Sequence, residues 1–186
     1  MELIPILEIG WLNGWILLCT FYLIYGILLK AFPKDVVARL YDRSGWSKTQ
    51  RALTVIGKLL GLVCLVLIIF TPLKIGANVF IPGVGLFALG LAGFIVALFD
   101  FKNTPLDKPV TKGLYRMSRH PQAFMSFISG FGVCIAIGSW IAVFILIIAR
   151  LFYHFRILAE EKACLKRYGD SYRNYMKRIP RYFLIF

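Results

Sequence analysis

Apolar blocks alternate with short polar stretches along this chain, at about residues 10–29, 54–71, 82–99 and 122–157. A helix needs about 20 predominantly apolar residues to cross a bilayer, so each of the first three blocks reads as one spanning helix. The fourth block, 122–157, is too long for a single crossing. Gly138-Ser139 lies near its middle and permits a sharp turn, and Trp140 beside it suits a membrane–water interface. The pattern therefore predicts two helices there, about 122–137 and 140–157. The expected architecture is all-α: a polytopic membrane protein with five transmembrane helices, the last two a helical hairpin, followed by a short cytosolic C-terminal helical segment. From the length, residues 1–186 are expected to form a single integral membrane domain.

Composition narrows the class. The chain is 59% hydrophobic and 17% charged, with a mean hydropathy of +0.74, too apolar for a soluble domain of this size. Its net charge of +13 would fit a nucleic-acid binder if the charge were spread over one surface. Instead it is concentrated between the apolar blocks, as in loops that face the cytoplasm and anionic lipid. Lys30, Lys34, Arg39, Arg43, Lys48 and Arg51 follow the first block, and Lys102, Lys108, Lys112, Arg116 and Arg119 follow the third. The tail adds Arg156, Lys162, Lys166, Arg167, Arg173, Lys177, Arg178 and Arg181, whereas Lys74 stands alone between the second and third blocks. Five spans with the N-terminus outside and the C-terminus in the cytosol put every basic cluster inside; four spans do not. That sidedness fits a prokaryotic plasma membrane and the endoplasmic reticulum equally. The first block does not read as a cleaved signal peptide, because its flank is acidic, its core is long and no small-residue cleavage site follows.

Small residues recur at helical spacing within the spans: Gly57 and Gly61, Gly83, Gly90 and Gly93, Ser126 and Gly130, Gly132 and Ala136. Such positions let helix backbones approach closely in lipid and predict a compact bundle. Between the first two spans, Phe32-Pro33 followed by Val36, Val37, Leu40 and Tyr41 reads either as a short amphipathic surface helix, with Trp46 as an interfacial anchor, or as an irregular loop. Cys19, Cys64, Cys134 and Cys164 are scattered, and with two histidines no metal-ligand spacing exists, so no metal site is expected and the cysteines read as small buried hydrophobes.

Chemistry concentrates near the C-terminus. On the fifth span, Arg150, Tyr153, His154, Arg156, Glu160 and Glu161 fall within half of a helical wheel, opposite Phe144, Ile148, Leu151, Phe152 and Phe155. Ionisable groups on one face of a span point to a site, while a snorkelling Arg150 and an ordinary Arg156–Glu160 pair at i,i+4 explain the same residues structurally. The second patch is Arg119-His120-Pro121. Pro121 fits the first turn of the fourth span, whose free backbone N–H groups, beside Arg116, Arg119 and His120, suit a carboxylate or phosphate. A two-span hairpin returns both patches to one side of the bilayer, where they can build one pocket.

The run Lys112-Gly113-Leu114-Tyr115…Arg119-His120-Pro121, the hairpin, then Arg156…Glu160-Glu161…Tyr168-Gly169-Asp170-Ser171-Tyr172…Tyr175 together resemble the isoprenylcysteine carboxyl methyltransferase and phospholipid methyltransferase superfamily. The resemblance covers roughly residues 110–182. It implies an integral membrane enzyme that takes S-adenosylmethionine into a cytosol-facing pocket made by the last two spans and the C-terminal segment. By position it implies cofactor contacts at Gly113, Tyr115, Arg119, His120, Pro121, Glu160, Glu161 and Tyr172, with Arg156 and Glu160 catalytic and Arg156 near the reacting end. Where family members often carry an aromatic two residues after the proline, this chain has Ala123. A carboxylate acceptor needs no base, whereas an amine must lose a proton, which Glu160 or His154 could take. The implied acceptor is lipid-soluble or lipidated, and prenylated cysteine, phosphatidylethanolamine, a small thiol or an isoprenoid compound each fit a membrane-facing cavity. Two other readings stand beside this one. Arg-His-Pro also occurs in NADPH-dependent membrane sterol reductases, and a non-enzymatic lipid-binding scaffold would account for the basic loops.

Overall fold

The computed structural model describes residues 1–43 and 46–183. Among them the chain is all-helical, with isolated bridges and no strands. The helices are α1 (Trp15–Ala31), α2 (Lys34–Leu40), α3 (Lys48–Phe70), α4 (Phe80–Lys102), α5 (Pro121–Ala136), α6 (Trp140–Tyr168) and α7 (Asp170–Arg178), with a 3₁₀ turn over Gly113–Arg116 before α5. By length and composition α3, α4 and α6 can each cross a membrane; α1 and α5 are apolar but shorter.

Several boundaries differ from the hydrophobic pattern for local reasons. Residues before Trp15 are not helical, although the apolar block begins near residue 10. The Asn13 side-chain amide donates to Glu8 O and to Ile69 O on the last turn of α3, while Gly14 N donates to Thr71 O and Leu12 O accepts from Leu73 N, so backbone groups there find partners on the α3–α4 loop rather than in a helix. Helix α3 starts six residues early, at Lys48, because Ser47 and Gln50 form a reciprocal capping box. At the other end α6 continues eleven residues past the expected Ile157, so Arg156, Glu160, Glu161 and Cys164 share one unbroken helix with the apolar stretch. The segment between α1 and α3, open between helix and loop, contains helix α2, seated by buried Phe32 and Val36 against Phe94 and Leu98. Trp46 is not a surface anchor: it is 6% exposed, with the Arg43 guanidinium 5.8 Å from its ring centroid. Nor are all cysteines buried, since Cys19 is exposed and Cys164 half-buried.

Two antiparallel pairs organise the bundle. In the α4–α5 pair, Gly83 faces Ala136, Gly90 faces Ser129 and Gly93 faces Met125. A methyl group at Gly90 would lie 2.7 Å from the Met125 carbonyl oxygen, and one at Gly132 2.6 Å from the Gly83 oxygen, so the two backbones touch only because Cβ atoms are missing. In the α3–α6 pair, Gly57 packs on Phe152 and the Cys64 thiol donates to Ala142 O at 3.6 Å. Cys64, Ile68, Phe87, Val133, Ile137 and Val143 join both pairs in one core. The hairpin between α5 and α6 turns at Gly138, whose φ of +67° is left-handed, and Ser139 Oγ then caps α6 by accepting from Ala142 N.

This packing separates two polar ends. The N-terminal segment, the α3–α4 loop and the α5–α6 turn meet at one end, where Lys74 pairs with Glu2 at 2.7 Å and Glu2 N bonds Gly138 O. The α2 region, the 103–120 segment, the last turns of α6 and α7 gather at the other. Both C-terminal polar patches therefore lie at the same end. The seam predicts that Gly132→Ala and Gly90→Ala each destabilise the detergent-solubilised protein by about 1–3 kcal/mol, as overpacking does. Gly61→Ala, where nothing lies within 4 Å, should leave thermal unfolding unchanged.

Candidate functional site

The polar end is held together around one buried carboxylate. Glu161, 3% exposed, projects from α6 toward the start of α5 and the chain after α7. Its Oε2 accepts from Arg181 Nη2 at 2.8 Å, and Arg181 Nε lies 3.1 Å from both oxygens, a two-pronged contact. Arg119 Nε stands 3.3 Å from Oε1 and His120 Nε2 3.4 Å from the same atom. The carboxylate raises the affinity of the Arg181 guanidinium for its proton through that hydrogen bond, against the opposing effect of burial. Backbone contacts reinforce the join: Arg119 N donates to Pro180 O, and Ser118 Oγ donates to Arg181 O while accepting from His120 N. The 179–183 segment is thereby folded back along α5 and α6, with Phe183 against Phe124 and the Tyr182 hydroxyl 2.7 Å from His154 Nδ1.

His120 carries the network from Glu161 to its neighbour. It is the N-cap residue of α5, with Pro121 in the first turn, and the other ring nitrogen, Nδ1, lies 3.8 Å from Glu160 Oε2. Glu160 Oε1 in turn accepts from Arg156 Nε at 2.7 Å, and the Arg156 guanidinium lies 4.9 Å from the Tyr153 ring centroid. Basic and acidic side chains thus alternate from Arg156 through Glu160, His120 and Glu161 to Arg181. Adjacent residues on a helix point about 100° apart, so the two glutamates face different ways. Glu160 looks into a cavity; Glu161 faces the join.

That cavity, of about 520 Å³, is walled by residues from six parts of the chain. Arg39 and Leu40 come from α2, Phe101 from α4, and Pro109, Val110 and Tyr115 from the segment before α5. Arg119, His120, Gln122 and Ala123 supply the start of α5; Tyr153, Arg156, Glu160 and Cys164 come from α6, and Tyr172 and Tyr175 from α7. Three buried nitrogens there, Arg119 Nε, His120 Nε2 and Gln122 Nε2, make no hydrogen bond within the chain. Arg119 Nε and His120 Nε2 have Glu161 Oε1 within 3.4 Å, and Gln122 Nε2 is a buried donor without a hydrogen-bond partner. Burial raises the pKa of Tyr115, Tyr172 and Tyr175, so these phenols stay protonated, and the Tyr175 hydroxyl donates to Tyr115 O at 2.6 Å.

The residues singled out from the sequence divide accordingly. Tyr115, Arg119, His120, Arg156, Glu160 and Tyr172 line the cavity, whereas Gly113, Pro121 and Glu161 stand behind its wall. Gly113, at φ +58°, is pressed against the Asp100 carboxylate, which accepts from Leu114 N at 2.9 Å and sets the 3₁₀ turn that delivers Tyr115. Arg150 lies outside the cavity lining, its guanidinium 5.2 Å from the Tyr153 and Tyr182 ring centroids. His154 is likewise outside it. Asp100 and Gln122 were not singled out from the sequence, and Arg39 and Arg181 were read there only as members of basic clusters. Asp100 had a usable signal, being the one acidic residue in the apolar run 80–102; the other three had none that separates them from surface polar residues.

Comparison with known proteins bears on this arrangement. The phospholipid methyltransferase family model matches residues 66–171, more than half of the chain. A relative from the fission yeast Schizosaccharomyces pombe, protein-S-isoprenylcysteine O-methyltransferase, is 32% identical over 72 residues, which is 38% of this chain. The chain spans about 30% of that protein's length in the match. No solved structure matches.

The geometry assigns different consequences to the two glutamates. Replacing Glu161 by Ala leaves Arg119 and Arg181 without their shared anion and should cost about 3–5 kcal/mol, as breaking a buried pair does. Limited proteolysis should then cut after Arg178 or Arg181. Glu160→Ala, at a side chain 29% exposed, should leave that segment protected.

Proposed function

The chain belongs to the phospholipid methyltransferase family, and on that premise we propose that it transfers a methyl group from S-adenosylmethionine to a lipidic or lipidated acceptor at the cytosolic face of a membrane it crosses five times. The observation that carries the proposal is the cavity at the start of α5, whose lining combines hydrogen-bond donors, a carboxylate and aromatic rings. Its volume of about 520 Å³ suits a ligand of this size.

The donor set fits the charges of S-adenosylmethionine. The unpartnered Gln122 amide, the Arg119 guanidinium and the free N–H groups of the first turn of α5 would hold a carboxylate. Glu160 would balance an amino group, and Tyr115, Tyr153 and Tyr172 offer ring faces to a sulfonium or a purine. When bound, this cofactor supplies a methyl group activated by positively charged sulfur. The chain's own residues have three tasks: to align the acceptor with that group, to exclude water, and to take a proton when the acceptor is an amine. Arg156 and Glu160 form an ion pair of zero net charge on the cavity wall. Of the two groups that could take that proton, Glu160 lines the cavity, whereas His154 faces Tyr182.

Span lengths support a membrane-level site. Helix α5 has 16 residues, which at 1.5 Å each gives about 24 Å, less than the ~30 Å hydrocarbon core. Its start, and the cavity there, therefore fall at or just beneath the headgroups, within reach of a lipid-borne acceptor. The basic clusters gather at this end, and the opposite end holds Glu2, Glu8 and Lys74, which supports a cytosolic C-terminus and an external N-terminus. The relative's name points to a lipidated cysteine and the family's description to a phospholipid, both lipidic acceptors.

Membranes containing the chain, incubated with methyl-labelled S-adenosylmethionine, should transfer label to a lipid or lipidated protein, and the labelled product names the acceptor. In purified protein, Glu160→Gln and His120→Ala should each weaken S-adenosylmethionine binding by about tenfold or more, in the range lost when a charged hydrogen-bond partner is removed. Unfolding temperature should hold for Glu160→Gln. Undiminished affinity in both variants would contradict the assignment.

A further inference from the structure

Helix α2 supplies one cavity wall from outside the family-matched residues 66–171, as Tyr172 and Tyr175 of α7 do beyond their other end. Helix α2 is only seven residues long, but it is anchored: Phe32 and Val36 are buried, and Tyr25, Leu28 and Leu106 pack around them. From this seat Arg39 reaches across to the segment that links α4 to the 3₁₀ turn. Its Nη1 donates to Thr104 O and Pro105 O, both at 3.2 Å, and its Nη2 to Lys108 O at 2.8 Å. The guanidinium also lies 4.8 Å from the Phe101 ring centroid and 5.8 Å from that of Tyr168.

The gripped segment, 103–112, has no regular secondary structure. Side chains take up its carbonyl groups where a ladder would otherwise do so: Arg39 binds three, and Arg167 and Tyr168 both donate to Leu106 O. The same segment leads directly into Pro109 and Val110, which line the cavity. A planar guanidinium can serve three carbonyls in fixed directions while stacking on rings; a lysine ammonium cannot do both.

We propose that Arg39 is a positioning residue for the donor cavity, clasping the 103–110 segment into the shape that makes one of its walls. The role rests on the proposed use of S-adenosylmethionine, but the clasp itself does not. Arg39 touches neither reacting atom, so its loss acts on binding and leaves the chemical step.

The test uses the full-length purified chain with Arg39→Lys and Arg39→Gln. Without ligand, amide hydrogen exchange over 104–110 should quicken by about tenfold or more, while α4 and α5 amides keep their protection and show that the bundle is folded. In the assay, KM for S-adenosylmethionine should rise by about tenfold, with kcat at saturating donor within about threefold of the parent. Unchanged exchange over 104–110 overturns the clasp. Faster exchange with unchanged KM, or a loss confined to kcat, overturns the positioning role alone. A parent chain that neither binds S-adenosylmethionine nor transfers methyl groups overturns the proposed function and the positioning role with it, and faster exchange then leaves only the clasp.

Discussion

A carboxylate buried among two guanidiniums and an imidazole is the constraint on which the polar end depends. Glu161 costs several kcal/mol to desolvate and is tolerable there only because Arg181, Arg119 and His120 surround it. Meeting that demand forces three separate pieces together: the last turns of α6, the start of α5 and the chain beyond α7. Once these are joined, the N-cap residue His120 and Glu160 lie side by side on the cavity wall without further adjustment. The electrostatic join and the pocket are two sides of one helix.

The join could not form without the bundle that aims it. Glycines at 83, 90 and 132 let α4 and α5 run backbone to backbone, which fixes the direction in which α5 emerges. Asp100, at the end of α4, then sets the 3₁₀ turn through Leu114 N, so the same helix that packs on α5 also shapes the approach to it. Steric contact in the apolar region and hydrogen bonding at the polar end thus specify one geometry. Neither would suffice alone, because close-packed helices can slide and an ion network can tilt.

Much of this was legible from residue order, and the exceptions have physical causes. Apolar runs located all five hydrophobic helices, and Gly138-Ser139 marked the turn, since a left-handed residue followed by a capping serine is a local signal. Hairpin logic put His120 near Glu160 and Glu161. What spacing could not say is which glutamate looks inward: adjacent side chains differ by a rotation that only the tilt of α6 resolves. Small-residue spacing found the α4–α5 seam but also offered Gly61 and Gly130, where the neighbouring helix does not come close enough to need a glycine. Arg39 and Arg181 were indistinguishable from other basic loop residues, because their partners are carbonyls and an acid remote in sequence. Residues 10–14 look apolar enough for a helix, yet the bonds that Asn13 makes to the last turn of α3, and Leu12 and Gly14 to the α3–α4 loop, leave them outside it.

In the proposed function, polar groups from the start of α5 and from α6 act as one site on the same ligand. A double-mutant cycle on S-adenosylmethionine affinity, with His120→Ala, Glu160→Gln and the pair combined, measures this directly. Side chains in one contact network couple by about 0.5–3 kcal/mol, so the combined variant should lose that much less affinity than the sum of the two single losses. Strictly additive losses, or no loss from either, would mean that the two patches do not meet on a common ligand.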